Sequence, residues 1–144
     1  MESKSDRARR FLETIPLCRE MGMRIDELDA GAAVVSLPYD ERLIGDPETG
    51  VLHGGAVSTL LDTCAGAAVI SHPQVPDIAA TLDFRIEYMR AASPGQSISA
   101  RAECYNVTRN IAFVRATASD ESGTGPVAAA TGIFTLLARR TNSR

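Results

Sequence analysis

GAVSTLLDTCAGAAVI, residues 55–70, is the stretch on which the reading of the fold turns. Its apolar residues Val57, Leu60, Leu61, Cys64 and Ala68 recur at helical spacing, so it reads as one long helix. Ser58, Thr59, Asp62 and Thr63 form a narrow polar stripe at offsets of four along it. Ala65-Gly66-Ala67-Ala68 keeps the far end slim enough for a sheet to approach closely. The run from His72-Pro73 to Pro76-Asp77 ends the helix, because proline cannot continue the backbone ladder.

Downstream the period changes to two. Leu82, Phe84, Ile86 and Tyr88 alternate with Thr81, Asp83, Arg85 and Glu87, which predicts a strand with the first set buried. Three further strands are expected at Ser97–Val107, Ile111–Ser119 and Val127–Ala138. They are separated by turns at Ser93-Pro94-Gly95, Thr108-Arg109-Asn110 and Gly123-Thr124-Gly125-Pro126, and turns this short join antiparallel neighbours. Upstream, residues 5–20 read as one short helix, with Phe11, Leu12, Ile15 and Leu17 apolar. Two extended stretches follow, Met23–Asp29 and Ala32–Pro38, turning at Ala30-Gly31. Gly45 to Gly50 is rich in turn formers and reads as a loop. One long helix is available to cover the whole sheet, so the expected class is α+β, an antiparallel sheet curled around that helix. Apolar and small residues at outward positions of the sheet point to oligomerisation.

Bulk composition is consistent with this. The 144 residues suit one domain, residues 1–144, and 44% hydrophobic against 23% charged residues allow a packed core without tryptophan. Fifteen basic and eighteen acidic residues give a net charge of −3, which argues against a nucleic-acid partner. Cys18, Cys64 and Cys104 are far apart, and with His53 and His72 they form no zinc pattern. An odd cysteine count and a charged start, Met1 to Arg10, without an apolar run predict a reducing, cytoplasmic location and no signal peptide. No run of about 18 consecutive apolar residues is present, so no membrane span is expected.

Chemistry concentrates at the start of the helix. His53-Gly54-Gly55 stands where the first-turn N–H groups have no acceptor inside the helix and point at incoming negative charge. Glycine lets a ligand approach that backbone, and an oxyanion formed in acyl transfer is such a charge. The plain alternative is a sharp turn and nothing more. His53 reads either as a polar contact beside the substrate or as a hydrogen-bonded loop residue. Asp62 is a carboxylate in an otherwise apolar helix, on the face of Ser58 and Thr59, where a site would need it; the plain alternative is a surface aspartate. Gly54 and Asp62 are eight residues apart, about 12 Å along a helix. One reacting carbonyl needs donor and nucleophile each within about 3 Å. If both act together, they come from different chains.

Leu52-His53-Gly54-Gly55 with Asp62 at this spacing, followed by Thr81-Leu82-Asp83-Phe84-Arg85-Ile86-Glu87-Tyr88-Met89, resembles the hotdog acyl-CoA thioesterases of the phenylacetate-pathway type and the similar human acyl-CoA thioesterase 13 group. The likeness covers roughly residues 20–138. It implies a hotdog fold and a thioester hydrolase with no cofactor or metal. It also implies Asp62 as nucleophile or general base, the N–H of Gly54 or Gly55 as oxyanion donor, Thr81 as the hydroxyl that positions water, and His53 beside the thioester. Homodimers joined edge to edge, paired into homotetramers, are implied as well. Many relatives carry an Asn in the loop before the His-Gly-Gly turn; here the loop has Asp46-Pro47-Glu48, and a carboxylate cannot donate unless protonated. Asp46 and Ser58 are candidate substrate contacts, and Arg85, Arg90 and Arg109 are candidates for the phosphates of coenzyme A, against a plain reading as solvated surface. The competing reading is a non-catalytic acyl-CoA-binding module on the same fold. A hydratase is disfavoured because His72, beside Pro73, is not placed as its base.

Overall fold

The structure is a computed structural model and describes residues 1–76 and 78–137. Asp77 and Ala138, at the ends of two expected segments, lie outside them. The chain runs α1 (Lys4–Glu13), α2 (Pro16–Met21), β1 (Arg24–Asp29), β2 (Ala32–Leu37), a 3-10 turn (Glu41–Leu43), β3 (Ile44–Asp46), β4 (Val51–Leu52), α3 (Gly54–Ser71), β5 (Ile78–Tyr88), β6 (Ile98–Val107), β7 (Ile111–Ser119) and β8 (Ala128–Leu137). Six strands form one antiparallel sheet in the order β1-β2-β6-β7-β8-β5. The sheet curls around α3, which touches β1, β2, β5, β6, β7 and β8. This is the α+β hotdog arrangement expected from the sequence.

The core is built where the helical period predicts. Leu60, Leu61, Cys64 and Ala65 are fully buried. Complete burial of each leucine contributes about 2 kcal/mol. Helix and sheet meet closely at Cys64, whose Sγ lies 3.5 Å from the Ala33 carbonyl and 3.4 Å from that of Ala100. Burial pushes the Cys64 thiol up to about 12. Although α3 is long and apolar enough to cross a membrane by length and composition, 56% of that stretch is buried inside this fold.

Four expectations need correction. Residues 5–20 form two helices, because Pro16 opens α2 and forces Ile15 into extended backbone. The loop at Gly45–Gly50 carries a small hairpin, β3 with β4, whose strands are too short to show alternation. β5 and β6 are not neighbours: β5 pairs with β8, and β6 lies between β2 and β7. The crossing segment leaves β5 with the N–H groups of Met89 and Arg90 bonded to the Val127 carbonyl. β5 is also less buried than alternation predicts. Phe84 and Ile86 are half-buried against the core, while Leu82 and Tyr88 are 55% and 54% exposed. A β-bulge between Thr81 and Asp83 makes Leu82 the extra residue and breaks the parity of the strand.

Candidate active site

α3 leaves one stripe unburied along its length, made of Gly54, Gly55, Ser58, Thr59, Asp62, Thr63 and Gly66. The sheet covers the other sides. At the head of the helix, His53 is the N-cap, and its Nδ1 accepts the Gly55 N–H at 2.7 Å. Its backbone N–H is tied to the Leu43 carbonyl at 2.8 Å. Two glycines make room for this turn. A Cβ on Gly55 would sit 2.9 Å from His53 Nδ1, and one on Gly45 would sit 2.7 Å from His53 Cα.

This cap has chemical consequences. Because the Nδ1 lone pair is engaged, the proton of the neutral ring sits on Nε2, which is left as a donor. Gly55 has its N–H committed to His53. Gly54, the first residue of α3, has no acceptor for its N–H inside the helix. Of the two expected oxyanion donors, only Gly54 presents a free hydrogen. Its carbonyl accepts the Tyr88 hydroxyl at 3.0 Å, which holds the end of β5 over the helix start.

About one helical turn beyond Ser58, Asp62 is exposed, and its Oδ1 accepts the Thr81 hydroxyl at 2.9 Å. The second carboxylate oxygen takes part in no described hydrogen bond. Thr81 reaches Asp62 because the bulge at Leu82 turns Thr81 to the helix side, the side also used by Phe84, Ile86 and Tyr88. Within one chain the two ends of this arrangement are separated by about 12 Å along α3. Asp62–Thr81 and the His53–Gly54 turn therefore do not meet at one reacting atom in a single copy.

The other named residues are placed less directly. Ser58 and Thr59 donate their hydroxyls to the Gly55 carbonyl at 3.0 and 2.7 Å, so both are committed to their own helix. Asp46 caps its own turn, accepting from the Thr49 hydroxyl and the Glu48 N–H, and these bonds hold its carboxyl below the usual range. Arg85 is exposed and paired with Glu87. Arg109 is exposed in the β6–β7 turn. Arg90 was expected either at a phosphate or in solvent, and it is in neither setting. Its guanidinium forks onto Asp120 at 2.7 and 2.9 Å and also donates to Gly125 and Ala91 carbonyls. Both terminal nitrogens are engaged and Nε is buried without a partner, so no accessible edge is left for a phosphate. Two residues near the turn were not singled out from the sequence: Tyr88 and Arg42, the latter paired with Asp40 at 2.8 Å. A tyrosine in an alternating strand looks like packing, and its contact lies 34 residues away.

Two hollows flank α2. The outer one, about 320 Å³, is lined by Met21, Leu43, Ile44, His53, Gly55 and Thr59. The inner one, about 170 Å³, is lined by Leu12, Cys18, Met23, Ile25, Val35 and Thr63. A third hollow, about 380 Å³, runs past Gly22, Ser36, Ser99 and Ser119 and includes neither Asp62 nor the His53 turn. Among the described residues, no three His, Cys, Asp or Glu side chains converge as a metal site.

Comparison with known proteins places this geometry in a family. A sequence model described as the thioesterase superfamily matches residues 49–127. A Halobacterium salinarum protein that carries an esterase name is 36% identical over 75 residues, and the match spans 50% of each chain. The Escherichia coli medium/long-chain acyl-CoA thioesterase YigI is 21% identical over 118 residues, 73% of this chain and 76% of that protein. Among solved structures, a Pseudomonas aeruginosa protein is 38% identical with a TM-score of 0.81, covering 93% of this chain and 99% of its own. A mutant of the phenylacetic acid degradation protein PaaI from Thermus thermophilus is 28% identical with a TM-score of 0.75, covering 85% and 100%.

Proposed function

Given that the chain belongs to the thioesterase superfamily, with the hotdog fold of the phenylacetate-pathway type, we propose that it hydrolyses an acyl-coenzyme A thioester to the free acid and coenzyme A. The observation that carries this reading is the Asp62–Thr81 pair. One oxygen of the carboxylate is fixed by the hydroxyl, and the other is left to meet an electrophile or to take a proton from water. The name of the Escherichia coli relative points to medium and long acyl chains.

The thioester carbonyl oxygen sits on the Gly54 N–H, where negative charge developing in the tetrahedral intermediate is met by the helix start. His53, whose proton is left on Nε2, is the second donor this reading assigns to the carbonyl. Asp62 of a second copy supplies the attack, since its own is about 12 Å along the helix. It either adds to the carbonyl, giving a mixed anhydride and expelling the thiolate, or deprotonates the water that adds. Thr81 fixes the carboxylate in both routes. The assembly is a homodimer, or a homotetramer made of two; the reading is supported by β5, a long strand with one edge unpaired among the described residues, exposed Leu82 and Tyr88, and exposed Met89 just beyond it. Arg109 and Arg85 remain the candidates for coenzyme A phosphates. A reducing, cytoplasmic compartment suits three cysteines that are all free and buried.

Thiol release measured across aliphatic and aromatic acyl-CoAs, wild type beside Asp62→Ala, tests the reading. Turnover that disappears in the variant supports it. Tight acyl-CoA binding with no thiol released by the wild type would instead identify a binding module.

A further inference from the structure

We propose that the two hollows beside α2 are the ends of one channel that takes the straight acyl chain of a medium-length fatty acyl thioester. It would run from the His53 turn to a floor at Leu12, Cys18 and Val35. The inference rests on the thioesterase reading and names the acyl subsite of that site.

Three features carry it. Gly55 and Thr59 line the outer hollow and Thr63 lines the inner one, and residues four apart on a helix share one stripe. On the opposite wall, α2 contributes Met21 to the outer hollow and Cys18 to the inner, so one helix spans both. The outer hollow already contains His53 and Gly55, the residues next to the expected carbonyl position.

Met21, Leu43, Ile44 and Ala56 give the outer hollow an apolar side, while its one charged residue, Arg42, is exposed at the rim and paired with Asp40. Thr59 has its hydroxyl bonded to Gly55, which leaves its methyl as the available surface. Burial pushes the Cys18 thiol up, against the opposing effect of the Thr63 hydroxyl, so the floor stays neutral. Val35 is 1% exposed and Leu12 5%, which closes the inner end. The charged residues of the inner hollow, Glu13, Arg19 and Arg24, are exposed and belong to its rim. From Gly55 to Thr63 is about 12 Å, the length of an extended chain of about eight to ten carbons at ordinary carbon–carbon spacing. A phenylacetyl group is shorter and would leave the inner hollow empty.

The test is a chain-length profile of kcat/KM, butyryl- to palmitoyl-CoA with phenylacetyl-CoA alongside, for wild type, Cys18→Trp and Ile25→Ala. The wild type should peak near decanoyl. Cys18→Trp should lower the decanoyl-to-butyryl ratio by about tenfold or more, and Ile25→Ala should move the peak to longer chains. A uniform loss at all lengths in Cys18→Trp, an unmoved peak in Ile25→Ala, or a wild type that prefers phenylacetyl-CoA would overturn the channel. Should Cys18→Trp not fold, Ile25→Ala decides. If the wild type hydrolyses no thioester, the thioesterase reading has failed, and the channel is judged separately with hydrolysis-resistant thioethers. Protection of Cys18 from alkylation by the decanoyl but not the butyryl thioether of coenzyme A supports it, and equal labelling refutes it.

Discussion

Replacing Gly54 by proline removes one hydrogen-bond donor and little else. Position 54 is the first residue of α3, where proline is favoured because its missing N–H has no helical partner. His53 precedes it with φ −58° and ψ 137°, the extended region that a residue before proline requires. A Cβ at this position would meet its nearest neighbour, Tyr88 Cε1, at 3.5 Å, an ordinary contact. The His53 Nδ1 cap on Gly55 and the Tyr88 bond to the Gly54 carbonyl use atoms that proline keeps. Stability should hold or rise by about 0.4–1 kcal/mol, because proline restricts the unfolded chain. Loss of an oxyanion donor costs about 10²–10³ in kcat, or roughly 3–4 kcal/mol in the barrier. Thermal unfolding and release of coenzyme A thiol, measured together, separate the two effects. Gly54→Ala keeps the N–H and should keep most of the turnover. A Gly54→Pro enzyme with wild-type kcat would refute the assignment of this donor. Mixing Gly54→Pro with Asp62→Ala extends the argument to the second copy. Random pairing makes half the dimers mixed, each with one intact site of two, so about a quarter of wild-type activity should return. No recovery would place both groups in one chain's site.

Thr81→Val should lower kcat by about tenfold or more through loss of a hydroxyl bonded to a carboxylate, while Thr81→Ser should restore it; equal rates for Val and Ser would remove Thr81 from the site. Asp120→Asn should lower Tm at neutral pH by several degrees. Arg90 first, then the Ser122 hydroxyl and the Ser93 and Ser122 N–H groups, hold the Asp120 carboxyl well below the usual carboxylate range. Its folded value is depressed, so its contribution is complete above about pH 4 and is lost as pH falls through the folded value. The Asn variant should accordingly show a shallower acid limb in a Tm-against-pH series. Cys64, fully buried with its thiol pushed up to about 12, should react with thiol reagents at pH 8 only as fast as the chain unfolds, which mass spectrometry of labelled peptides can time.

The sequence was legible where one interaction repeats. α3 shows itself through Val57, Leu60, Leu61 and Cys64, and the eight-residue gap between Gly54 and Asp62 already keeps the two from one reacting atom within a single chain. Features set by one residue or by distant contacts were not legible. Thr81 falls on the wrong side of a strict alternation, and the extra residue that corrects it, Leu82, looks like any other strand leucine. Only the family resemblance singled out Thr81. Arg90 looked available because its partner is thirty residues on, at Asp120. Short connecting segments suggested that β5 and β6 lie side by side, whereas the sheet order depends on β8, made last. Which of Gly54 and Gly55 keeps its N–H unbonded needed the orientation of one imidazole ring.

The position of β5 also sets a timetable for folding. Among the described residues its ladder is with β8 alone, from Ile78 against Leu137 to Tyr88 against Ala128, so the strand bearing Thr81 and Tyr88 waits for residues that leave the ribosome some forty to sixty positions later. Until then a nascent chain can pair β1 with β2, β2 with β6 and β6 with β7 around α3. Asp62 is present in that half-shell, but the strand that carries its hydroxyl partner is not yet seated. On the role proposed for Thr81, a product truncated before Ala128 should be collapsed yet inert toward thioesters.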